Sequence, residues 1–435
     1  MKSLVLLILV FALLVVCGGI AEAKWQQKEF IVTMWCPPPA TEENMAILAR
    51  DHYTLTGVGT EGDQVKGASN LVAQLDIAQK HGIKALVFNP LLNPSTLDDP
   101  AKKAQLDALV DSVKNHPALA GYHLTDEPSA PSFPDWGRLV QYLKDRDPEH
   151  LPYINLLPTY ANQQQLGVNL TEKVTSPLGY PDNFAGIGAN NQTVEFYNEH
   201  LRLFLEVVKP EIFSYDHYHF LQNGNDGQQY FLNLALIRNA ALKAGIPFLN
   251  IVQACTIEPS WRLVNAEEMR WLAFTTMAYG GRGLSWFLYW GPVSYGGMYQ
   301  EGKRMPLADF GAEINKDIAV IGPELLKLES TDVYQTAPLP IGAVAFPDNS
   351  PVKITEGNFI LGMFKEKDKP NAFMVVNRDY KNKATAELTL NFGSGKLWVF
   401  SRTKNRWGKM QAIQNGTTIS VPLNAGDGQL FKVTK

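Results

Sequence analysis

The chain has 435 residues, 45% of them apolar, and a formal net charge of −4. That length allows two or three domains, or one large α/β unit with a smaller module. The near-neutral balance, without a long run of like charges, argues against a nucleic-acid footprint and a polybasic membrane anchor. Aromatic residues make up 11%, enough to fill a core and still leave flat rings for a sugar-like ligand.

The N-terminus reads MKSLVLLILVFALLVVCGGIAEAKW. A lysine, a short apolar run and then small residues form the pattern of a secretory leader, and Ala21-Glu22-Ala23 fits its cleavage signature. Residues 1–23 are therefore set apart from the fold, and a secreted, periplasmic or cell-surface location is expected. The run is short for a membrane span. Lipidation at Cys17 is the weaker alternative, because Val16 stands where such sites have a small residue. Without the leader only Cys36 and Cys255 remain. Two cysteines make neither a disulfide framework nor a zinc pattern, and whether they bridge stays open. Export would also make Asn169, Asn191 and Asn415 glycosylation sequons.

From about residue 29 to 330, eight apolar runs alternate with helical stretches. The runs are FIVTMWC (30–36), YTLTGVG (53–59), KALVFN (84–89), GYHLTDE (121–127), YINLLP (153–158), IFSYDHY (212–218), PFLNIVQ (247–253) and GLSWFLYW (283–290). Between the first two, Thr41 is placed to cap a helix, with Glu42 and Glu43 in its first turn where the helix dipole favours negative charge. ASNLVAQLDIAQKHG carries apolar residues at helical spacing and ends on Gly82, a C-terminal stop. AKKAQLDALVDSVKNHP and NAEEMRWLAFTTMAYGG follow the same rule. Eight strand–helix units predict parallel strands closed into a (β/α)8 TIM barrel over residues 24–334. After about residue 335, short alternating runs separated by Gly, Asn and Asp predict an all-β C-terminal sandwich over 335–435.

In such a barrel, chemistry sits at the C-terminal ends of the strands. The fourth run delivers Asp126 and Glu127. Strict alternation places His123, Thr125 and Glu127 on one face and Tyr122 and Leu124 on the other. The sixth run delivers Tyr215, Asp216, His217 and Tyr218. The seventh ends at Gln253, with Glu258 in the loop beyond. The remaining ends bring Trp35, Glu61, Asn89, Asn155, Trp286, Tyr289 and Trp290. Two carboxyl groups beside a sugar-sized gap suit glycoside hydrolysis, one protonated and one ionised. Trp35, Trp286 and Trp290 could stack on a sugar, while Asn89, Asp126, Asn155, Tyr215, His217 and Gln253 could meet its hydroxyls. Each has a plainer reading. Asp126 ahead of Pro128 also suits a helix start, Asp216 could pair with a basic neighbour, and Glu258 before Pro259 could simply be solvated. Glu267 and Glu268 fit a helix start, and Trp271 a core. His217 and His219 have strand i,i+2 spacing but lack further ligands, so no metal is expected. No phosphate loop, dinucleotide fingerprint or serine triad appears, and no cofactor is expected.

The segment NHPALAGYHLTDEPS resembles the fourth strand of clan A glycoside hydrolases, the (β/α)8 enzymes that include family 42 β-galactosidases and cellulase-like family 5. The resemblance implies a carbohydrate substrate and an acid/base role for Glu127. The clan's usual Asn before that glutamate is Asp126 here. The stretch VQACTIEPSWRLVNAEEMRWLAFTTMAYGGRGLSWFLYW is similar to the seventh and eighth strands of secreted family-42-like barrels, and LNAGDGQLFKV to the end of their C-terminal β-modules. The clan's nucleophile is a glutamate ending the seventh strand, where this chain has Gln253. Three readings stay open. Asp216 acts as base for water in an inverting enzyme, Glu258 reaches back as nucleophile, or the barrel binds sugar without cleaving it.

Overall fold

The computed structural model describes residues 25–62, 64–65, 70–169, 184–186, 191–224, 226–367 and 369–435. The expected leader and Cys17 lie outside the described residues. Strands and helices alternate as β1 (Ile31–Met34), α1 (Glu42–Arg50), β2 (Leu55–Val58), α2 (Leu71–Lys80), β3 (Lys84–Val87), α3 (Pro100–Val113), β4 (Leu119–Asp126), α4 (Phe133–Arg146) and β5 (Leu151–Asn155). They continue as α5 (Asn191–Leu203), β6 (Phe213–His217), α6 (Tyr230–Ala244), β7 (Phe248–Gln253), α7 (Ala266–Ala278), β8 (Gly283–Phe287) and α8 (Pro306–Leu325).

Local chemistry accounts for many of the boundaries. Thr41 accepts a hydrogen bond from the Asn44 amide at 3.2 Å and so starts α1. Asp99 caps α3 ahead of Pro100, whose ring is pre-set for a first helical turn. Asn265 and Glu268 form a reciprocal capping box on α7. Gly82, at φ 72°, ends α2 in a conformation that a side chain would strain.

The architecture is mixed α/β. Eight parallel strands form two four-stranded sheets, ordered β1-β8-β7-β6 and β2-β3-β4-β5. Two edges of the sheets are bonded to each other. Leu156 bridges Tyr215 in parallel, and its amide reaches the Ser214 carbonyl at 2.9 Å. On the other side the Thr54 amide reaches the Val32 carbonyl at 2.9 Å. Helices cover the outer faces, with Leu48, Leu75, Val110 and Leu139 among their fully buried residues. Each such side chain contributes about 1.5–3 kcal/mol by leaving water.

The C-terminal region is antiparallel. Its strands are β9 (Glu329–Gln335), β10 (Val352–Ile354), β11 (Phe359–Glu366), β12 (Lys369–Asn377), β13 (Ala384–Leu390), β14 (Gly395–Ser401), β15 (Arg406–Ile413), β16 (Thr417–Leu423) and β17 (Gly428–Thr434). Six form a sheet ordered β9-β11-β12-β17-β14-β15, and three form a second ordered β10-β13-β16. Phe359, Leu361, Phe373, Leu388 and Phe431 belong to the apolar core between them. Strand β9, which ends at Gln335, pairs with β11.

The other face of the larger sheet meets α7. A Cβ on Gly362 would stand 2.2 Å from the Ala278 carbonyl oxygen, so only glycine permits this approach. The Trp271 indole donates to the Arg378 carbonyl at 2.9 Å. Arg402 donates to Asp317 at 2.6 Å and to Asp427 at 2.9 Å.

Candidate active site

The C-terminal ends of β4, β5 and β6 bring three carboxyl groups together. The pairing of β4 with β5 slips between His123 and Thr125. A bulge of this kind re-aims the residues that follow it. Asp126 consequently lines a cavity together with His123 and Leu124. Glu127 has φ 45°, a left-handed conformation unusual for a non-glycine residue and costing about 1–3 kcal/mol. Its amide still bonds the Asn155 carbonyl at 2.9 Å, while its side chain turns to meet Asp216.

Asp216 is 3% exposed, and its carboxyl lies close enough to that of Glu127 for each to act on the other's titration. Two carboxyl groups this close repel when both are ionised, so the pair favours keeping one proton. Asn155 sets the geometry beneath. Its Nδ2 donates at 3.0 Å to Asp126 and at 3.0 Å to Asp216. Its Oδ1 accepts from Ser214 at 3.0 Å, and Ser214 bonds the Tyr153 hydroxyl at 2.7 Å. Two oxygens, each 3.0 Å from one nitrogen, can be separated by at most twice that distance.

Burial raises all three acids above their ordinary range. For Asp216 the rise is large, with the charges of Glu127 and Asp126 adding to burial. For Glu127 burial leads and the Asp126 charge follows, while the hydrogen bond from Asp216 acts in the opposite sense. Asp126 is raised by burial against the opposing Asn155 contact. The resting proton therefore belongs with Asp216, the deepest of the three. Glu127 and Asp126 reach solvent; Asp216 does not.

Beside the cluster lies a cavity of about 370 Å³ whose lining includes Trp35, Thr56, Phe88, His123, Asp126 and Tyr153. The His123 ring stacks on Phe88 at 4.1 Å and meets Trp35 edge-on at 5.2 Å. Burial lowers His123 to about 3, so the ring is neutral at physiological pH, and its Nε2 has no hydrogen-bond partner. A larger cavity, about 740 Å³, opens at the opposite ends of the strands among Trp25, Glu29, Lys84 and His116. It lacks the carboxyl cluster.

Of the residues expected at the site, Glu127, Asp216, Asp126, Asn155 and Trp35 are brought to it. Gln253, Trp286, Tyr215, His217 and Asn89 are instead engaged within the fold, whereas Trp290 stays partly exposed. Gln253 is fully buried and occupied, accepting from the Phe220 amide at 2.9 Å and donating to the Phe220 and Arg262 carbonyls at 3.0 and 2.8 Å. It holds the turns beyond β6 and β7. Trp286 is 0% exposed and its indole donates to Asn315 at 2.9 Å. Tyr215 is buried on the helical side of β6, near Tyr230 and Tyr197. His217 faces the same way, its Nδ1 2.9 Å from Asn233 on α6. The Asn89 side chain caps a turn by accepting from the Leu91 amide at 2.9 Å. Trp290 stacks on Tyr299 at 5.7 Å.

Glu258 is exposed in the turn closed by Ile257 and Trp261, while the like charges acting on Glu127 and Asp216 come from within the cluster. The inverting arrangement with Asp216 as base is corrected too, since Glu127 and Asp216 touch instead of facing each other across a sugar. No disulfide joins Cys36 to Cys255. The Glu61 side chain lies outside the described residues. Among the described residues, no helix is long and apolar enough to cross a membrane.

Sequence reasoning missed Phe88, Tyr160 and Trp261 and left His123 and Tyr218 without a ligand-facing role. Tyr160, just past β5, bonds the Tyr218 amide through its hydroxyl at 3.4 Å. Burial and then the Asp216 charge hold both tyrosine hydroxyls well above their usual range. Aromatic residues directly beyond strand ends were the available signal.

No family model and no curated protein matches the chain. Among solved structures it is similar to a glycoside hydrolase family 30 subfamily 8 xylanase from Clostridium acetobutylicum, at 11% identity over 95% of this chain and 98% of that one, TM-score 0.44. It is also similar to a family 42 β-galactosidase from G. stearothermophilus, at 9% identity over 94% and 99%, TM-score 0.43. A glucosidase from Croceicoccus marinus matches at 12% identity over 95% and 98%, TM-score 0.41. With TM-scores below 0.5, the functional reading rests on this chain's own residues.

Proposed function

We propose that the chain is an exported glycoside hydrolase, with its eight parallel strands closed into a (β/α)8 barrel over about residues 24–334 and a β-sandwich after it. The observation that carries the reading is the clustering of buried Asp216 with accessible Glu127 and Asp126, acids whose mutual proximity favours sharing a proton, beside an aromatic-lined cavity. Asp216 cannot reach a substrate. It is the reservoir from which the proton passes along the hydrogen bond to Glu127, and Glu127 delivers it to the leaving oxygen as general acid. Asp126, lining the cavity and steadied by Asn155, supplies negative charge to the oxocarbenium-like centre that forms as the bond breaks; a water then bonds to that carbon, and its proton returns through the Glu127 carboxylate to Asp216. Trp35 and Phe88 offer ring surfaces to the sugar.

The test is turnover of a panel of α- and β-linked aryl glycosides and oligosaccharides by the wild-type chain and Glu127→Gln. The variant should lose about 10²–10⁴-fold on substrates with poor leaving groups and recover on dinitrophenyl glycosides, which need no acid. Full activity in the variant on oligosaccharides would exclude the role. A second reading, a barrel that binds sugar without cleaving it, is favoured by Gln253 in the seventh-strand position. Calorimetric binding with no product from any glycan would select it. Export is tested by N-terminal sequencing of the mature protein, expected to begin at Lys24.

A further inference from the structure

We infer that the leaving group is itself a carbohydrate and that it lies across a second aromatic platform centred on Trp261. The inference rests on the glycosidase reading and goes beyond it by assigning a binding site on the other side of the carboxyl cluster. The cavity bearing Trp35 is lined mostly by strands β1 to β4 and the loops after them, with Tyr153 of β5 and Ser285 of β8, and at about 370 Å³ it lies near the small end of ligand pockets, which span roughly 300–1,000 Å³. An extended glycan must therefore continue outside it.

On the far side, Tyr218, itself only 8% exposed, stands next to Asp216 and backs the more accessible rings beyond it. Its ring lies 4.3 Å from Trp261 and 4.9 Å from Phe287, and the Trp261 and Phe287 rings are perpendicular at 6.2 Å. Trp261 is only partly buried, yet its backbone is fixed. Its amide bonds the Ile257 carbonyl at 2.8 Å, and its carbonyl accepts from Thr256 at 2.8 Å and Gln222 at 3.1 Å. A rigid, accessible indole loses little freedom when a ligand stacks on it. The Thr256 amide ties this loop to the Tyr295 carbonyl at 3.0 Å, and Tyr295 itself is 39% exposed. The aromatic surface thus runs from the carboxyl groups onto the loops beyond β7 and β8. Flat rings without charged partners suit the C–H faces of sugar rings.

The experiment compares a monosaccharide glycosyl fluoride, whose leaving group is too small to reach Trp261, with tri- to pentasaccharides of the same sugar. Wild type, Trp261→Ala and Trp261→Tyr are assayed on both. Trp261→Ala should lower kcat/KM for the oligosaccharides about 10- to 100-fold and leave the fluoride within about twofold, while Trp261→Tyr restores most of the loss. Equal loss on both substrates, or loss on neither, overturns the platform. If wild type turns over the fluoride, the glycosidase reading stands whatever Trp261 does. If it turns over nothing, that reading falls, and the same oligosaccharides are titrated calorimetrically. Binding that needs Trp261 keeps the platform, whereas absent binding, or binding unchanged in Trp261→Ala, removes it.

Discussion

The ends of β4 and β7 occupy equivalent places in the strand order and are built in opposite ways. At β4, Glu127 sits in a left-handed conformation and its carboxyl meets another carboxyl. At β7, Gln253 is buried with its amide oxygen and nitrogen both bonded to backbone. The first end stores strain and electrostatic cost; the second relieves two loops of unpaired backbone groups. Identical position along a fold therefore does not give identical duty. What separates them is whether the side chain's bonding capacity is spent inside the protein.

The contrast can be broken most sharply at Trp286 and Glu127. Trp286→Ala should cost about 3–5 kcal/mol of stability, read by denaturant titration, because the indole is core and not ligand surface. Glu127→Gln should instead keep the fold while losing activity, as above, and its circular dichroism and melting curve check the first half of that statement. Gln253→Ala should destabilise by about 1–3 kcal/mol for each backbone group left buried without a partner. A variant that is stable but inactive would move Gln253 back into the site.

Asp216→Asn sharpens the comparison through pH. In the wild type the folded-state pKa of Asp216 is raised, so the native protein holds an extra proton above the ordinary carboxyl range. Its contribution to stability is greatest at low pH and declines as pH rises toward the raised value. The variant should show a flatter decline in unfolding free energy between acid and neutral pH. Removing the proton reservoir should also move the basic limb of the kcat/KM profile to lower pH. Profiles that superimpose would dismiss the shared proton. The smallest effect is expected for Glu258→Gln, within about 0.5 kcal/mol and without change in rate.

Much of this was legible beforehand. All eight parallel strands fall within two residues of the start of their apolar runs, because β-branched and aromatic clusters bounded by turns leave few alternatives. Asp126, Glu127, Asn155 and Asp216 were readable as strand-end polar groups. The slip at Leu124 was not, since period-two counting assumes an unbroken ladder, and it is this slip that puts Asp126 against the cavity. Tyr215 and His217 were misplaced for a related reason. Polar residues on a strand look ligand-facing until the helix behind them supplies Asn233 as a partner. Strand β15 gives little signal in the sequence, because most of its residues are exposed and no apolar alternation marks it.

Gly362 has a consequence for the whole chain. Where a bare α-carbon lets the β11 backbone rest on the end of α7, one continuous apolar cluster runs from Trp271 and Phe274 to Phe364, Met374 and Leu430. The antiparallel region is thus a wall of the same room, not an annex. A chain cut after residue 335 would open that wall, wet the flank of α7, and leave the Trp271 indole without its acceptor. Enlarging Gly362 would wedge the same seam apart from within.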